Sequence, residues 1–65
     1  MKNLKIIRFK RGYTQKDIAE VLNMTQQQYQ KYENGTNEMP IRHYITLAKF
    51  YGVSLDELCG LIESK

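Results

Sequence analysis

The sequence predicts an all-α fold of five short helices without strands. Apolar residues recur at the three- and four-residue spacing that forms one face of a helix. Residues that can cap the start of a helix precede several of these segments, and Gly or Asn residues follow them. The chain has 65 residues, near the lower limit for a domain stabilised by an apolar core alone. We therefore expect a single domain over residues 1–65.

The first helix is expected over residues 3–11, and Gly12 ends it. Its inner side is predicted to contain Leu4, Ile7 and the aliphatic stems of Arg8 and Arg11.

Two further helices are predicted on either side of a tight turn between Thr14 and Asn34. Thr14 can cap a helix that begins near Gln15, and Asp17 adds negative charge to its first turn. The buried stripe of this second helix is predicted to be Ile18, Ala19 and Leu22. The helix stops at Asn23, a residue type that adopts the left-handed conformation readily and so permits a sharp turn.

The third helix begins with a second capping signal. Thr25 and Gln28 have the spacing of a capping box, in which each side chain hydrogen-bonds the backbone of the other residue. Tyr29 and Tyr32 form its buried stripe, and Asn34–Gly35 ends it.

The fourth helix follows Pro40, whose fixed φ suits a first turn, and ends at Gly52. Ser54 and Glu57 are predicted to form a capping box for a fifth helix that ends near Gly60. The expected inner residues are Tyr44, Ile45, Leu47, Ala48 and Tyr51 in the fourth helix, and Val53, Leu55 and Leu58 at the fifth.

A set of short motifs runs from Arg8 to Gly60. They are Thr14-Gln15, Ala19, Met24-Thr25, Tyr32-Glu33-Asn34-Gly35, Leu47-Ala48 and Gly52-Val53-Ser54-Leu55-Asp56. In order and spacing they resemble the phage-repressor (Xre-type) helix-turn-helix family, with Asn23 where the family usually has Gly. The resemblance implies a compact lambda-repressor-like DNA-binding domain, with the helix-turn-helix in helices 2 and 3 over about residues 15–34.

Base-reading residues are expected on the outer face of the third helix, opposite its tyrosines. A Gln amide can bond N6 and N7 of adenine together in the major groove, and Lys can donate to guanine N7 or O6. Gln26, Gln27 and Lys31 are therefore the predicted readers. The alternative is that these glutamines are ordinary helix formers on a solvated surface.

Phosphate contacts are expected beside this helix. Gln15 and Thr25 stand at helix starts, where side chain and backbone N–H groups can meet a phosphate together. The resemblance adds Asn34 and the following loop through Thr36. Further candidates, each equally explained as a solvated charge, are Lys10, Arg11 and Lys16.

The charge is unevenly distributed along the chain. Residues 1–31 contain seven basic and two acidic residues, a balance of +5, whereas residues 32–65 contain three basic and five acidic residues, a balance of −2. Contacts between these basic residues and DNA phosphates would release counterions from the DNA, and the uneven charge would favour an oriented approach of the protein. A net charge of +3 is also ordinary for a small soluble domain.

Arg8 and Glu33 are interpreted as a structural ion pair. Arg8 falls on the inner face of the first helix, where an unpaired guanidinium is costly. The resemblance implies that it pairs with Glu33 at the end of the third helix and orients that helix.

Ile6 and Phe9 fall roughly opposite the inner side of the first helix, at about 100° per residue. Exposed apolar residues are ordinary when single. Joined by Leu61 and Ile62, this pair is also a candidate self-association surface, so a homodimer, formed in solution or only on DNA, is a possible partner state.

Catalysis and metal binding find no support in the sequence. His43 and Cys59 are the only residues of their types, and neither has a second ligand or base at helical spacing. We expect no enzyme activity, no cofactor, no metal and no small-molecule ligand. A lone Cys favours a reducing compartment, and charges interrupt every apolar run near the N-terminus, so we expect a cytoplasmic protein without a membrane segment.

The predicted function is sequence-specific binding of double-stranded DNA by a transcriptional regulator, a repressor that recognises an inverted-repeat operator. Two half-sites about 34 Å apart would supply the specificity that one short helix lacks. The alternative is a protein-interaction module of the antitoxin type. Because only residues 61–65 follow the fifth helix, the sequence favours the first interpretation.

Overall fold

The computed structural model describes residues 3–60, and these form five helices joined by short turns. The helices are α1 (Leu4–Arg11), α2 (Gln15–Val21), α3 (Gln26–Glu33), α4 (Ile41–Tyr51) and α5 (Leu55–Cys59). No strand occurs among the described residues. The predicted all-α, five-helix fold is therefore confirmed.

The core lies where the five helices meet. Each helix contributes one large side chain that is fully buried, and these are Leu4, Ile18, Tyr29, Leu47 and Leu58. Because every helix is short, none could remain folded without this shared apolar contact. The core therefore fixes α3 relative to the other four helices through Tyr29.

Side-chain caps start the two central helices, and the predicted box of Thr25 and Gln28 is confirmed. Thr14 caps α2 by accepting from the Asp17 backbone N–H at 3.1 Å, and the Asp17 carboxylate accepts from the Thr14 N–H at 2.9 Å. This second box was not predicted, because we expected Asp17 only to add negative charge to the first turn of the helix. Ser54 accepts from the Glu57 N–H at 3.1 Å, one of the two bonds of the box predicted for α5.

Three predicted inner residues are wrong. Ile45 is 40% exposed, because the buried face of α4 follows the spacing of Tyr44, Leu47, Ala48 and Tyr51. Leu55, the first residue of α5, is 36% exposed, and burial in this one-turn helix falls on Leu58. Arg11, at the end of α1, is also exposed. The other predicted inner residues are buried or partly buried.

Asn3 joins the two ends of the described chain. Its backbone N–H donates to the Leu58 carbonyl at 3.1 Å, and its side-chain Nδ2 donates to the Glu57 carbonyl at 2.8 Å. The Asn3 side chain thus binds a carbonyl in the last turn of α5, which also accepts from the Gly60 N–H, instead of capping α1. As a result, α1 is held against α5. The helices α2 and α3 pack against each other.

Candidate nucleic-acid interface

The turn between α2 and α3 brings the two helices into direct contact. Ile18 and Ala19 of α2 are almost completely buried, and Asn23 adopts φ = 58°, the left-handed conformation predicted from the sequence. The Met24 N–H donates to the Ala19 carbonyl at 2.9 Å and closes the turn. Three residues therefore connect Val21 to the cap residue Thr25 and turn the chain between the two helices.

One face of α3 is buried and the opposite face is open. Tyr29 has no solvent-exposed surface, whereas Gln26, Gln27 and Lys31 are exposed. Gln28 is committed to the capping box, since its Oε1 accepts from the Thr25 N–H at 3.2 Å. The three predicted readers are therefore free to meet a ligand, with Gln27 and Lys31 one helical turn apart.

The predicted phosphate-binding residues differ in their surroundings. Thr25, Asn34 and Thr36 are exposed beside α3, and the Thr36 N–H donates to the Lys31 carbonyl at 3.0 Å, which fixes the loop after the helix. Gln15 is half-buried, and its Nε2 donates to Glu33 Oε1 at 3.0 Å. One N–H of this amide remains for another acceptor.

Arg8 and Glu33 form a bidentate ion pair beneath this surface. Arg8 Nε lies 2.7 Å from Glu33 Oε2, and Nη2 lies 3.1 Å from Oε1. The Arg8 Nη1 donates to the Tyr13 carbonyl at 2.9 Å. With side chains only 7% and 2% exposed, the two charges are shielded from water, and the pair links α1, the corner before α2 and the end of α3.

The electrostatics of the pair favour its charged form. Burial alone would raise the pKa of Glu33, but the Arg8 guanidinium, the nearby Tyr29 hydroxyl and the Gln15 amide outweigh it, so the pKa is below its ordinary value. The hydrogen bond to Glu33 raises the pKa of Arg8. Burial raises the pKa of Tyr29 and Tyr51, and neither hydroxyl reaches an acceptor with good hydrogen-bond geometry.

This arrangement agrees with comparisons to known proteins. A family model described as helix-turn-helix matches residues 4–58, which include all five helices. The chain belongs to the Xre-type helix-turn-helix family.

Two relatives come from Bacillus subtilis strain 168. The SPbeta prophage-derived uncharacterized HTH-type transcriptional regulator YonR is 40% identical over 55 residues, which cover 85% of this chain and 51% of that protein. The HTH-type transcriptional regulator ImmR is 39% identical over 59 residues, which cover 91% of this chain and 46% of that protein. The chain spans about half the length of the curated relatives it matches.

The outer side of α1 in this Xre-type domain carries the candidate self-association residues. Ile6 is 50% exposed and Phe9 is 63% exposed. Ile6 lines a groove of about 340 Å³ between α1 and α5, together with Val53. The Phe9 ring contacts the Arg8 guanidinium. Leu61 and Ile62, the other members of the predicted surface, lie outside the described residues, so self-association stays a prediction.

The remaining candidate groups of this Xre-type domain are scattered. Within residues 3–60, no three His, Cys, Asp or Glu side chains cluster as a metal site would require. His43 is partly buried with its ring centroid 6.2 Å from that of Tyr32, and Cys59 is a free thiol. No described helix is long and apolar enough to cross a membrane.

Two contacts of the site could not be read from the sequence. The Gln15 bond to Glu33 joins residues eighteen positions apart, and no spacing rule links the start of one helix to the end of the next. The Phe9 contact with Arg8 joins neighbours on a helix, whose side chains ordinarily point about 100° apart. Of these residues, only Arg8 and Glu33 carried a pairing signal, and that signal came from the family motif.

Proposed function

We propose that this chain is the DNA-binding part of a transcriptional regulator, which reads double-stranded DNA with α3 and acts by binding alone, without catalysis. The observation that carries the proposal is the exposure of Gln26, Gln27 and Lys31 on a helix whose opposite face is locked by Tyr29. A rigidly held helix that presents amide and ammonium groups suits a major groove. The family membership and the names of the two relatives support the same role.

Phosphate contacts at both ends of α3 would set its position on the duplex. We assign them to Thr25 at its start and to Asn34 and Thr36 at its end, with the free N–H of Gln15 as a fourth contact. Asp17 sits in the first turn of α2 with a pKa lowered by its hydrogen bonds to Thr14, and its charge opposes a phosphate there. We therefore expect the α2 contact to be made by the Gln15 side chain.

We further propose that the regulator is a cytoplasmic repressor that occupies an inverted-repeat operator as a dimer. One helix reads only a few base pairs, and two copies about 34 Å apart would give useful specificity. Ile6 and Phe9 are the exposed apolar residues assigned to dimer contact. In sedimentation experiments with and without operator DNA, a mass that stays monomeric under both conditions would remove this part of the proposal.

The test is selection from a random double-stranded DNA library, with sequencing of the retained pool at two salt concentrations. We expect an inverted repeat to be enriched, and Gln27→Ala to relax the base preference at defined positions in each half. Gln30→Ala is the matched control, because Gln30 is an exposed glutamine of the same helix outside the predicted reading set. Retention that depends on salt but not on sequence, or no retention, would favour a protein-interaction module instead.

A further inference from the structure

The ring of Phe9 lies against the ion pair that supports α3. Its centroid is 4.8 Å from Arg8 Cζ, although 63% of the Phe9 surface is exposed. Arg8 keeps only 7% of its own side-chain surface exposed. Thus an apolar residue outside the core covers a buried charge.

The hydrogen bonds of Arg8 leave the flat face of its guanidinium unoccupied. Glu33 and the Tyr13 carbonyl bind the guanidinium through its N–H groups, which lie in the plane of the group. The flat face carries no donor. An aromatic ring attracts a cation over its π face, and this attraction grows where water is excluded.

We infer that Phe9 is a positioning residue for the recognition helix: its ring covers the guanidinium face of Arg8 and so holds the Arg8–Glu33 pair in one geometry. The link to DNA recognition rests on the function proposed above. Glu33 is the last residue of α3 and also binds the Gln15 amide. Motion of Arg8 would therefore reach both the end of α3 and the start of α2.

Phe9 thus has two candidate roles, self-association and cover of the Arg8 guanidinium, and different substitutions distinguish them. Phe9→Leu keeps an apolar surface for self-association but removes the π face. Phe9→Tyr keeps the π face and adds a hydroxyl. Lys5→Met is a matched control, because Lys5 Nζ lies 5.9 Å from the same ring and is a second cation that the ring could serve.

The experiment is ¹⁵N NMR of the full chain, following the Arg8 Nε–H signal and its exchange with water, alongside DNA affinity. We expect Phe9→Leu to shift this signal through loss of the ring current and to speed its exchange about fivefold, the factor that corresponds to about 1 kcal/mol. Phe9→Tyr and Lys5→Met should leave the Arg8 Nε–H signal and its exchange rate near those of the original protein. DNA binding should weaken several-fold in Phe9→Leu and recover in Phe9→Tyr.

An unchanged Arg8 signal and exchange rate in Phe9→Leu would overturn the inference, as would equal acceleration in Phe9→Tyr. Faster exchange with undiminished DNA affinity would refute the positioning role and leave only the contact. If the original protein binds no DNA, the proposed function fails, while the NMR readout still reports whether Phe9 covers Arg8.

Discussion

The Gln15 amide and the Glu33 carboxylate are joined by a 3.0 Å hydrogen bond between the first residue of α2 and the last residue of α3. Gln15 is a proposed phosphate ligand, and Glu33 is the carboxylate that also holds Arg8. A phosphate bound at Gln15 would therefore be connected to the recognition helix through one side chain. This bond makes Gln15 part of the support of α3 as well as part of its binding surface.

Replacing Gln15 with Ala should weaken DNA binding by a similar factor on all sequences. The variant loses a phosphate contact, which carries no base information, and one hydrogen bond to a charged group, worth roughly 1.5–3 kcal/mol of stability when buried. We expect the ratio of affinities for operator and scrambled DNA to stay constant while both affinities fall. The measurements are titrations with the two DNAs and urea unfolding.

Gln30→Ala provides the comparison for Gln15→Ala, because Gln30 is exposed and makes no side-chain hydrogen bond among the described residues. It should change stability by less than about 0.5 kcal/mol. If Gln15→Ala alters the affinity ratio as Gln27→Ala does, the residue reads bases and its assignment to phosphate is wrong.

Removing one partner of the Arg8–Glu33 pair should destabilise the protein strongly, and the losses caused by the two single changes should not add in the double variant. Each single change, Arg8→Met or Glu33→Ala, strands a buried charge, which costs about 3–5 kcal/mol. A domain this small has roughly 3–5 kcal/mol in total, so both single variants should be largely unfolded. The double variant should be more stable than the sum of the two losses predicts.

Urea unfolding at low temperature, with a stabilising osmolyte where needed, completes this double-mutant cycle. Circular dichroism gives the folded fraction of variants that are too unstable for a full curve. Similar stability in the two single variants, the double variant and the original protein would mean that the pair does not stabilise the fold.

Stability should fall in acid through Glu33. Its pKa in the folded state is lower than the ordinary value of 4.5, so the carboxylate stabilises the fold fully above about that pH. The contribution is lost as pH falls through the folded-state pKa, when protons bind the unfolded chain more readily. The free energy of unfolding of the original protein should therefore decrease more steeply below pH 4.5 than that of Glu33→Gln, with both measured in the same stabilising osmolyte because this variant also strands Arg8.

The difference between these two proteins isolates Glu33 from other acidic groups. Asp17 also has a lowered pKa, caused by its hydrogen bonds to Thr14, and it contributes equally to both curves. Parallel curves for the original protein and Glu33→Gln between neutral pH and pH 3 would show that the carboxylate has no such role.

The sequence predicted the helices and their ends well because the signals are local. A Thr with Gln three residues later, or Asn at a turn, acts through backbone atoms a few positions away, as Thr25 and Asn23 do here. The periodicity of α2 and α3 likewise identified Ile18 and Tyr29 as core residues. The prediction of inner residues was wrong for Ile45 in α4 and Leu55 in α5, because burial there depends on how neighbouring helices pack.

The candidate site was less accessible to sequence reasoning. The outward direction of Gln27 follows from helix geometry once Tyr29 is placed inside. The Gln15 bond to Glu33 depends on where the side chains of two different helices end, and the Phe9 contact with Arg8 depends on the rotamers of two neighbouring residues in α1; a single sequence records neither. The Arg8–Glu33 pairing was available only through the family motif.

Replacing Asn23 tests the backbone of the turn that sets the angle of α3. This residue has φ = 58°, in the left-handed region where a Cβ atom costs most residue types about 1–2 kcal/mol. Asn tolerates the conformation, and Gly has no Cβ. Asn23→Ala should therefore lose about 1 kcal/mol of stability, whereas Asn23→Gly should stay within about 0.5 kcal/mol of the original protein.

Urea unfolding of both variants measures the cost of the left-handed backbone alone, because Asn23 is exposed and its replacement removes no core contact. DNA affinity should follow stability, with Asn23→Gly binding as the original protein does. A loss in Asn23→Gly as large as that in Asn23→Ala would locate the role of Asn23 in its amide group rather than in its backbone conformation. The turn would then require a side-chain contact that Gly, the usual residue of the family, cannot make.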